Sequence, residues 1–321
     1  MNSIDISTMR SFLTKSIASN RQRNVITMNK VYGMLAEIDL RNTLIQLGYG
    51  GRISQGGWIV RNVGSGKFGH HTIVLFPMTI ALGSSYPPGR TFEIPPNGLH
   101  TICSTMHQIG VHSYYCVPEI QANNNFQAIT WYAKQLGVPE DHPYTPLLTT
   151  IANFSLRSGN YNFLRYSTNI STVLDSSIPE EFTKEHLRVT FQTRFMQEMV
   201  DIDGVFWGQQ FTYPIEIKEK TSANDSKLGD YFGIDVGPFV KLAFYAAKRG
   251  NLRSLFIVKE IDTTTSRNLV QWWFITFDTL AQYASWQPIG GGTNMQGGGS
   301  TVVKIPKSEF KELNAANLAL L

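Results

Sequence analysis

Apolar residues recur along the chain with two different periods, and these periods predict its helices and strands. In the first half, spacing of the helical kind predicts helices at 29–47, 99–109 and 127–136. Alternating or continuous apolar runs predict strands at 57–63, 72–80 and 112–117. A break rich in proline follows at 139–146, so we expect a boundary there between domains at 1–148 and 149–321.

The second half repeats much of this order. Its predicted helices are 180–198, 238–249 and 278–286, and its predicted strands are 200–207, 213–218, 255–261 and 270–277. Both halves begin helix, strand, strand, helix, strand, which leaves open an internal duplication or a coincidental order. The pattern predicts a mixed α/β (α+β) chain with an N-terminal and a C-terminal α/β domain.

Two neighbouring predicted strands carry acidic residues and a lysine. Asp201 and Asp203 share one face of the first strand, because side chains alternate along a strand. Glu216 and Lys218 share one face of the second strand for the same reason. Antiparallel pairing through the turn GQQFT would bring these groups together. Carboxylates bind Mg²⁺, and a nearby ammonium can orient water and stabilise charge on a phosphate, so the pattern indicates metal-dependent phosphodiester hydrolysis.

The segment that holds these residues resembles the PD-(D/E)XK nuclease superfamily, the fold of many type II restriction endonucleases and some repair nucleases. The resemblance covers roughly residues 180–262, in the order helix, Asp-bearing strand, Ile-Glu-Ile-Lys strand, helix, strand. It implies a C-terminal restriction-endonuclease-like domain with a central mixed sheet flanked by helices. It also implies that Asp203 and Glu216 bind Mg²⁺, that Lys218 completes the catalytic set, and that cleavage leaves 3′-OH and 5′-phosphate ends.

Part of the ligand set stays open. No proline precedes either aspartate, so Asp201 is an alternative ligand to Asp203. Members of the superfamily often add an acidic residue from the helix before the Asp-bearing strand. The candidates of this kind are Glu181, Glu185 and Glu198.

Basic and polar residues elsewhere are candidates for contact with DNA. The stretch 155–169 interleaves Arg, Asn and Ser with aromatic residues, which suits contact with phosphates and bases and equally suits an ordinary loop. The glycine-rich loop at 290–299 is either a DNA clamp or a long hairpin tip. The candidate DNA-binding residues are Arg157, Asn160, Arg165, Lys220 and Lys227.

Composition adds few constraints. Lys and Arg number 28 against 24 Asp and Glu, and this mild basic excess is compatible with a polyanionic partner. The chain has two cysteines, no apolar run long enough for a membrane span and no signal-like N-terminus, so we expect a cytoplasmic protein without a membrane partner. The motif GSGKFG at 64–69 matches G-x-G-x-x-G, but a strand-like run follows it, so we expect no nucleotide cofactor.

These observations predict a Mg²⁺-dependent endonuclease acting on double-stranded DNA, with a type II restriction endonuclease as the favoured hypothesis. The N-terminal domain would then recognise DNA or form a dimer, and a homodimer follows if both strands of a palindrome are cut symmetrically. Two alternatives stay open. One is a nuclease of the same superfamily that acts on branched, damaged or modified DNA, and the other is a DNA-binding protein with a degenerate nuclease site. The DNA sequence recognised does not follow from these residues, because base contacts depend on docking geometry.

Overall fold

The computed structural model describes residues 2–16, 24–62, 72–87, 94–108, 110–158, 169–195, 197–247, 252–293 and 299–321. The motif at 64–69, Asn160 and Arg165 lie outside these residues, as does part of the glycine-rich loop at 290–299. No helix within the described ranges is both long enough and apolar enough to cross a membrane.

The described residues form α-helices and β-strands in mixed order, which confirms the mixed α/β class. The helices are α1 (Ile6–Ser16), α2 (Asn24–Gln46), α3 (Leu99–Gln108), α4 (Leu147–Thr150), α5 (Ile178–Arg194), α6 (Val236–Ala246), α7 (Phe277–Tyr283) and α8 (Ala315–Leu318). The strands are β1 (Ile53–Asn62), β2 (Thr72–Pro77), β3 (His112–Ile120), β4 (Ile129–Leu136), β5 (Thr145–Pro146), β6 (Gln197–Trp207), β7 (Thr212–Lys220), β8 (Ala223–Asp225), β9 (Gly229–Asp235), β10 (Leu255–Ile261), β11 (Leu269–Thr276), β12 (Ile289–Thr293), β13 (Gly299–Pro306) and β14 (Lys311–Glu312).

The chain divides into two compact units, and each unit is discontinuous in sequence. Unit 1 comprises Met1–Val31 and Gln55–Ile202, and unit 2 comprises Tyr32–Ser54 and Asp203–Leu321. This division differs from the expected one at residues 148 and 149. The physical reason is that the chain contributes most of α2 to unit 2, leaves it near the start of β1, and returns to it within β6.

The sheet of unit 1 has the strand order β1-β2-β3-β4-β5 and is mixed, because β2 and β3 are parallel while the other neighbours are antiparallel. The predicted helix at 127–136 is wrong, since β4 occupies Ile129–Leu136 and pairs with β3 along its whole length. Its sequence ITWYAKQL is rich in β-branched and aromatic residues, which favour a strand. With β4 as a strand, β1, β2, β3 and β4 pair in the same senses as β6, β7, β10 and β11, so the order of elements still matches between the two halves.

A buried histidine in α5 joins three elements of unit 1. The His186 Nδ1 atom accepts a hydrogen bond from the indole Nε1 of Trp131 at 3.1 Å, so the ring proton lies on Nε2. That Nε2 donates to the backbone oxygen of Phe126 at 2.8 Å. Burial lowers the pKa of His186 to about 4, because a charged ring is poorly solvated there, and the bond to Phe126 only partly opposes this.

We therefore expect unit 1 to lose stability in mild acid. The unfolded chain binds the proton near the ordinary pKa of 6.5 and the folded chain only near 4, so stability is full above pH 6.5 and falls as the pH drops towards 4. The loss between pH 7.5 and 5 is about 2 kcal/mol from this group. Urea unfolding across that range measures it. The His186→Leu variant should show a smaller pH dependence, and an equal slope in both proteins contradicts the assignment.

The main sheet of unit 2 has the strand order β14-β11-β10-β7-β6. Strand β7 is antiparallel to β6 and parallel to β10, to which it is connected through α6. On one face, Ile215 and Ile217 pack with Ala36, Leu40 and Leu44 of α2. This apolar cluster explains why α2 lies on that face of the sheet.

The opposite face of the same sheet is covered by α6, α7 and a smaller sheet with the order β12-β13-β9-β8. Phe256 and Val258 of β10 pack there with Leu242 of α6. Their register partners on β7 are Glu216 and Lys218, so the face that carries α6 is also the face of these two charged residues. The alternation predicted for the Glu-x-Lys strand is thus observed.

The helix before the Asp-bearing strand differs from the prediction. Helix α5 ends at Arg194, Phe195 is extended, and Glu198 lies in β6 instead of the helix in which it was expected. Moreover, α5 belongs to unit 1, whereas the helix packed on the Ile215 and Ile217 face of the main sheet of unit 2 is α2.

Candidate functional site

The predicted aspartate Asp203 lies where the ladder between β6 and β7 ends. The last register pair on that side is Gly204 with Ile215. Beyond it, the Asp203 Oδ2 atom accepts a hydrogen bond of 2.7 Å from the backbone amide of Ile217. The carboxylate therefore lies against the peptide that joins Glu216 to Ile217, and the residue is only 6% exposed. A buried carboxylate is stabilised by such a bond, since an unpaired one is costly to desolvate.

Among the predicted residues whose side chains the structure describes, Glu216 is the most deeply buried, at 2% exposure. Its Oε1 atom lies 2.6 Å from the ammonium nitrogen of Lys218, two positions further along the same face of β7. Its Oε2 atom forms an ion pair with the ammonium of Lys241. The Glu216 carboxylate thus has one cation on each oxygen, and the two cations come from different elements.

Lys241 is a member of this cluster that sequence reasoning missed. It projects from α6, the helix that follows the Glu-x-Lys strand, and in the sequence VGPFVKLAFYA it is the lone charged residue. A single lysine within an otherwise apolar helix is the signal by which it could have been found, because burying an ammonium requires a partner of opposite charge.

Two further lysines of unit 2 were predicted to contact DNA. Lys220 lies on β7, beyond Lys218, and burial lowers its pKa, with Asp235 opposing the shift and Lys218 adding to it. Lys227 is exposed in the turn between β8 and β9, where its backbone amide donates to the Asp225 carboxylate at 2.8 Å. Both residues therefore lie in the unit that contains Glu216.

The alternative ligand Asp201 belongs to a different charged cluster, in unit 1. Burial and Arg188 lower the pKa of Lys30, whereas Glu185 and Asp201 raise it. Burial raises the pKa of Glu185, but the cations of Arg188 and Lys30 outweigh it and the net shift is downward. Arg188 also binds Glu185 at 2.6 Å. Asp201 therefore has a cationic neighbour in Lys30, whereas Asp203 contacts the Glu216–Ile217 peptide.

The remaining predicted residues lie in unit 1 or outside the described side chains. Glu181 is buried in α5. The backbone of Glu198 lies in β6, but its side chain is outside the described part. The Nε atom of Arg157 donates to the backbone oxygen of Gln192 at 3.1 Å, near the end of α5. This bond gives a hydrogen-bond donor to a backbone carbonyl in the last turn of α5. Arg157 therefore has a structural role that occupies one nitrogen of its guanidinium.

The carboxylates determine which metal the site suits. Within the described ranges, no group of three or more His, Cys, Asp or Glu side chains is arranged to hold a metal ion. The predicted site instead offers two carboxylates, Asp203 and Glu216. Mg²⁺ commonly binds one or two carboxylates and keeps several water molecules, so the number and type of these donors fit Mg²⁺.

Comparison with known proteins identified no relative. No family model, no curated protein and no solved structure matches the chain.

Proposed function

We propose that this chain is a Mg²⁺-dependent endonuclease that hydrolyses phosphodiester bonds of double-stranded DNA. One observation carries the proposal: the buried Asp203 carboxylate binds the amide of Ile217, next to Glu216, whose own carboxylate pairs with Lys218. Two carboxylates and a lysine at one place are the groups that metal-dependent phosphoryl transfer requires.

Asp203 and Glu216 would hold the metal ion, which, when bound, polarises a phosphate oxygen and acidifies a water molecule. Lys218 is one-third exposed, so its ammonium can turn towards solvent. In that position it can donate a hydrogen bond to the attacking water or to the phosphate, and it can stabilise negative charge as this develops. Glu216 is held by the sheet and by α6, which limits its movement during these steps.

The arrangement of unit 2 supports the resemblance to the PD-(D/E)XK superfamily. A helix, the Asp-bearing strand β6, the Glu-x-Lys strand β7, helix α6 and the parallel strand β10 occur there in the order of the resemblance, with α2 in the place expected for residues 180–198. Within that superfamily we favour a type II restriction endonuclease, which would act as a homodimer on a palindromic site.

The test is incubation of supercoiled and linear plasmid with the purified chain at several Mg²⁺ concentrations and with EDTA. We expect cleavage that requires Mg²⁺ and is abolished by EDTA, because two carboxylates alone cannot activate water. Discrete fragments that share one sequence at their ends identify restriction activity. Cleavage of branched or modified DNA alone identifies the related nuclease. DNA binding without cleavage at any metal concentration contradicts the proposal and indicates a degenerate site.

A further inference from the structure

The two units repeat one arrangement of strands and helices. In unit 1 the chain runs β1, β2, α3, β3, β4, and in unit 2 it runs β6, β7, α6, β10, β11, with β8 and β9 inserted before α6. In both units the successive pairs of strands are antiparallel, parallel and antiparallel. The ladder between the first two strands is also equally long, since it covers Trp58–Arg61 in unit 1 and Gly204–Trp207 in unit 2. The strands of the two units can therefore be matched residue by residue.

A helix covers the corresponding face of the sheet in both units. In unit 1 the indole Nε1 of Trp58 donates a hydrogen bond of 3.0 Å to the backbone oxygen of Lys184 in α5. In unit 2, Ile215 of β7 packs with Leu40 of α2. Each of these helices comes from the other half of the sequence, because α2 precedes β1 but lies mostly in unit 2, and α5 precedes β6 but lies in unit 1. Two copies of one fold that exchange their first helices have this arrangement.

This match assigns counterparts in unit 1 to the residues of the candidate metal site. Side chains alternate along a strand, so residues at equal distance from the register pair that ends the ladder also share a face. That pair is Trp58 with Leu75 in unit 1 and Gly204 with Ile215 in unit 2. The counterparts are Gly57 for Asp203, Phe76 for Glu216, Pro77 for Ile217 and Met78 for Lys218. Moreover, neither β1 nor β2, which the structure describes from end to end, contains an acidic residue.

Apolar packing fills the place in unit 1 that corresponds to the metal site. A Cβ atom on Gly57 would lie 2.8 Å from the ring atom Cδ1 of Phe76 and 2.5 Å from a backbone oxygen of β2. The Phe76 side chain is buried. Pro77 has no amide proton, so it cannot donate the hydrogen bond that Ile217 donates to Asp203. A closed, apolar place of this kind is unsuited to a divalent cation, which requires oxygen ligands.

We propose that unit 1 is a copy of the nuclease fold without a metal site, so that each chain cuts one DNA strand. The inference rests on the proposed function, since it concerns the number of sites that perform it. At the site of unit 2, a bond forms between the oxygen of water and phosphorus, and the bond from phosphorus to the 3′ oxygen breaks. That oxygen takes up a proton released by the water and leaves as a 3′-hydroxyl, while the other end keeps a 5′-phosphate. A double-strand break then needs the sites of two chains, which the homodimer of the proposed function supplies.

Glu216→Gln in the whole chain tests the number of sites. We expect this variant to lose calorimetric binding of Mn²⁺ and to nick supercoiled plasmid at less than about 10⁻³ of the wild-type rate, because unit 1 supplies no second site. Glu119→Gln is the matched control. Glu119 is a buried carboxylate on β3 of unit 1, four residues beyond Tyr115, the register partner of Phe76, and so on the same face of the sheet. Its variant should keep both the Mn²⁺ affinity and the nicking rate within about threefold of the wild type.

Mixtures of active and inactive chains test the number of cuts that one chain makes. Wild-type chains co-expressed with an excess of Glu216→Gln chains should release nicked circles as their main first product. Wild-type chains alone, at concentrations that favour the dimer, should proceed to linear plasmid. If one chain makes both cuts, the mixture will instead give linear plasmid in the same proportion as the wild type.

Gly57→Ala tests the packing in unit 1 without metal or DNA. The added methyl group meets a backbone oxygen and a buried ring, so we expect the unfolding equilibrium constant in urea to rise at least about tenfold. Gly204→Ala is the control in unit 2, because the nearest atom to its Cβ lies 3.4 Å away, and its constant should change by about threefold or less. Equal effects of the two substitutions would show that the space beside Gly57 is not filled, which contradicts the closed site.

The outcomes separate this inference from the proposed function. Mn²⁺ binding or nicking that survives in Glu216→Gln, when the wild type has both, overturns the inference and leaves the nuclease proposal standing. Loss of Mn²⁺ binding in a folded Glu119→Gln variant overturns it as well, since that places a metal ligand in unit 1. Neither Mn²⁺ binding nor cleavage by the wild type overturns the proposed function and with it the single cut per chain, whereas unfolding of Gly57→Ala still decides whether unit 1 is closed.

Discussion

Glu216→Gln and Lys218→Met are each expected to lower the rate of Mg²⁺-dependent DNA cleavage by at least about 10³-fold. Glutamine keeps the size of Glu216 but removes the negative charge that a cation needs, and it also removes the ion pair with Lys241. Methionine keeps most of the volume of Lys218 but cannot donate to water or phosphate. Single-turnover cleavage of a short duplex measures the chemical step separately from product release.

Glu219→Gln is the matched control for this experiment. Glu219 lies on the same strand as Glu216, has a side chain only 8% exposed, and pairs with Arg267 and with Lys259 among groups of the opposite face. Its variant should keep a cleavage rate within about threefold of the wild type, provided that it is folded. The Glu216→Gln, Lys218→Met double variant should be hardly slower than either single variant, since the two groups act on one step. Cleavage at the wild-type rate by either single variant would show that the substituted residue takes no part in the cleavage reaction.

The local geometry of the site could be predicted because it depends on short-range rules. Alternation along β7 separates Glu216 and Lys218 from Ile215 and Ile217, and the turn between β6 and β7 forms the antiparallel pair that was expected. Both rules involve residues that are close in sequence. The contact of Asp203 with the Ile217 amide follows from the same pairing, at the point where the backbone ladder ends.

Which segments of the chain form unit 2 could not be predicted, because this depends on contacts between residues that are far apart in the sequence. Both α2 and α5 contain recurring apolar residues, and nothing in either sequence indicates which of the two packs on the apolar face of β7. The structure selects α2, whose Ala36, Leu40 and Leu44 fit the apolar face of the main sheet. The segment Gln55–Ile202 is inserted between the two parts of unit 2, and an insertion of this kind leaves no local mark in the hydrophobic pattern.

Two other errors of prediction have simpler causes. The segment 127–136 contains apolar residues at spacings that suit a helix or a strand, and it forms a strand because it pairs with β3. Lys241 was missed because an ion pair between a helix and a strand is a tertiary contact, visible only when α6 is placed over β7.

The second large effect is expected from Gly137→Ala, which should destabilise unit 1 by more than about 4 kcal/mol. Gly137 follows β4 with a φ of +80°, a conformation that a residue with a side chain adopts only at a cost of about 1–2 kcal/mol. A Cβ atom there would lie 2.3 Å from the carbonyl carbon of Cys103 and 2.6 Å from the amide nitrogen of Ser104. These atoms belong to the backbone of α3, so no side chain can rotate away and the helix itself must shift.

Gly110→Ala separates the effect of backbone strain from that of the contact with α3. Gly110 lies in the same unit with a nearly equal φ of +78°, but nothing lies within 4 Å of a Cβ built on it. The Gly110→Ala variant should lose about 1 kcal/mol of its free energy of unfolding, which is the cost of the backbone conformation alone. Urea unfolding of both variants, together with limited proteolysis to locate the loosened unit, measures the difference. Similar losses in the two variants would mean that α3 moves away from Gly137 freely, whereas a difference of several kcal/mol would show that the turn after β4 fixes the position of α3 on the sheet of unit 1.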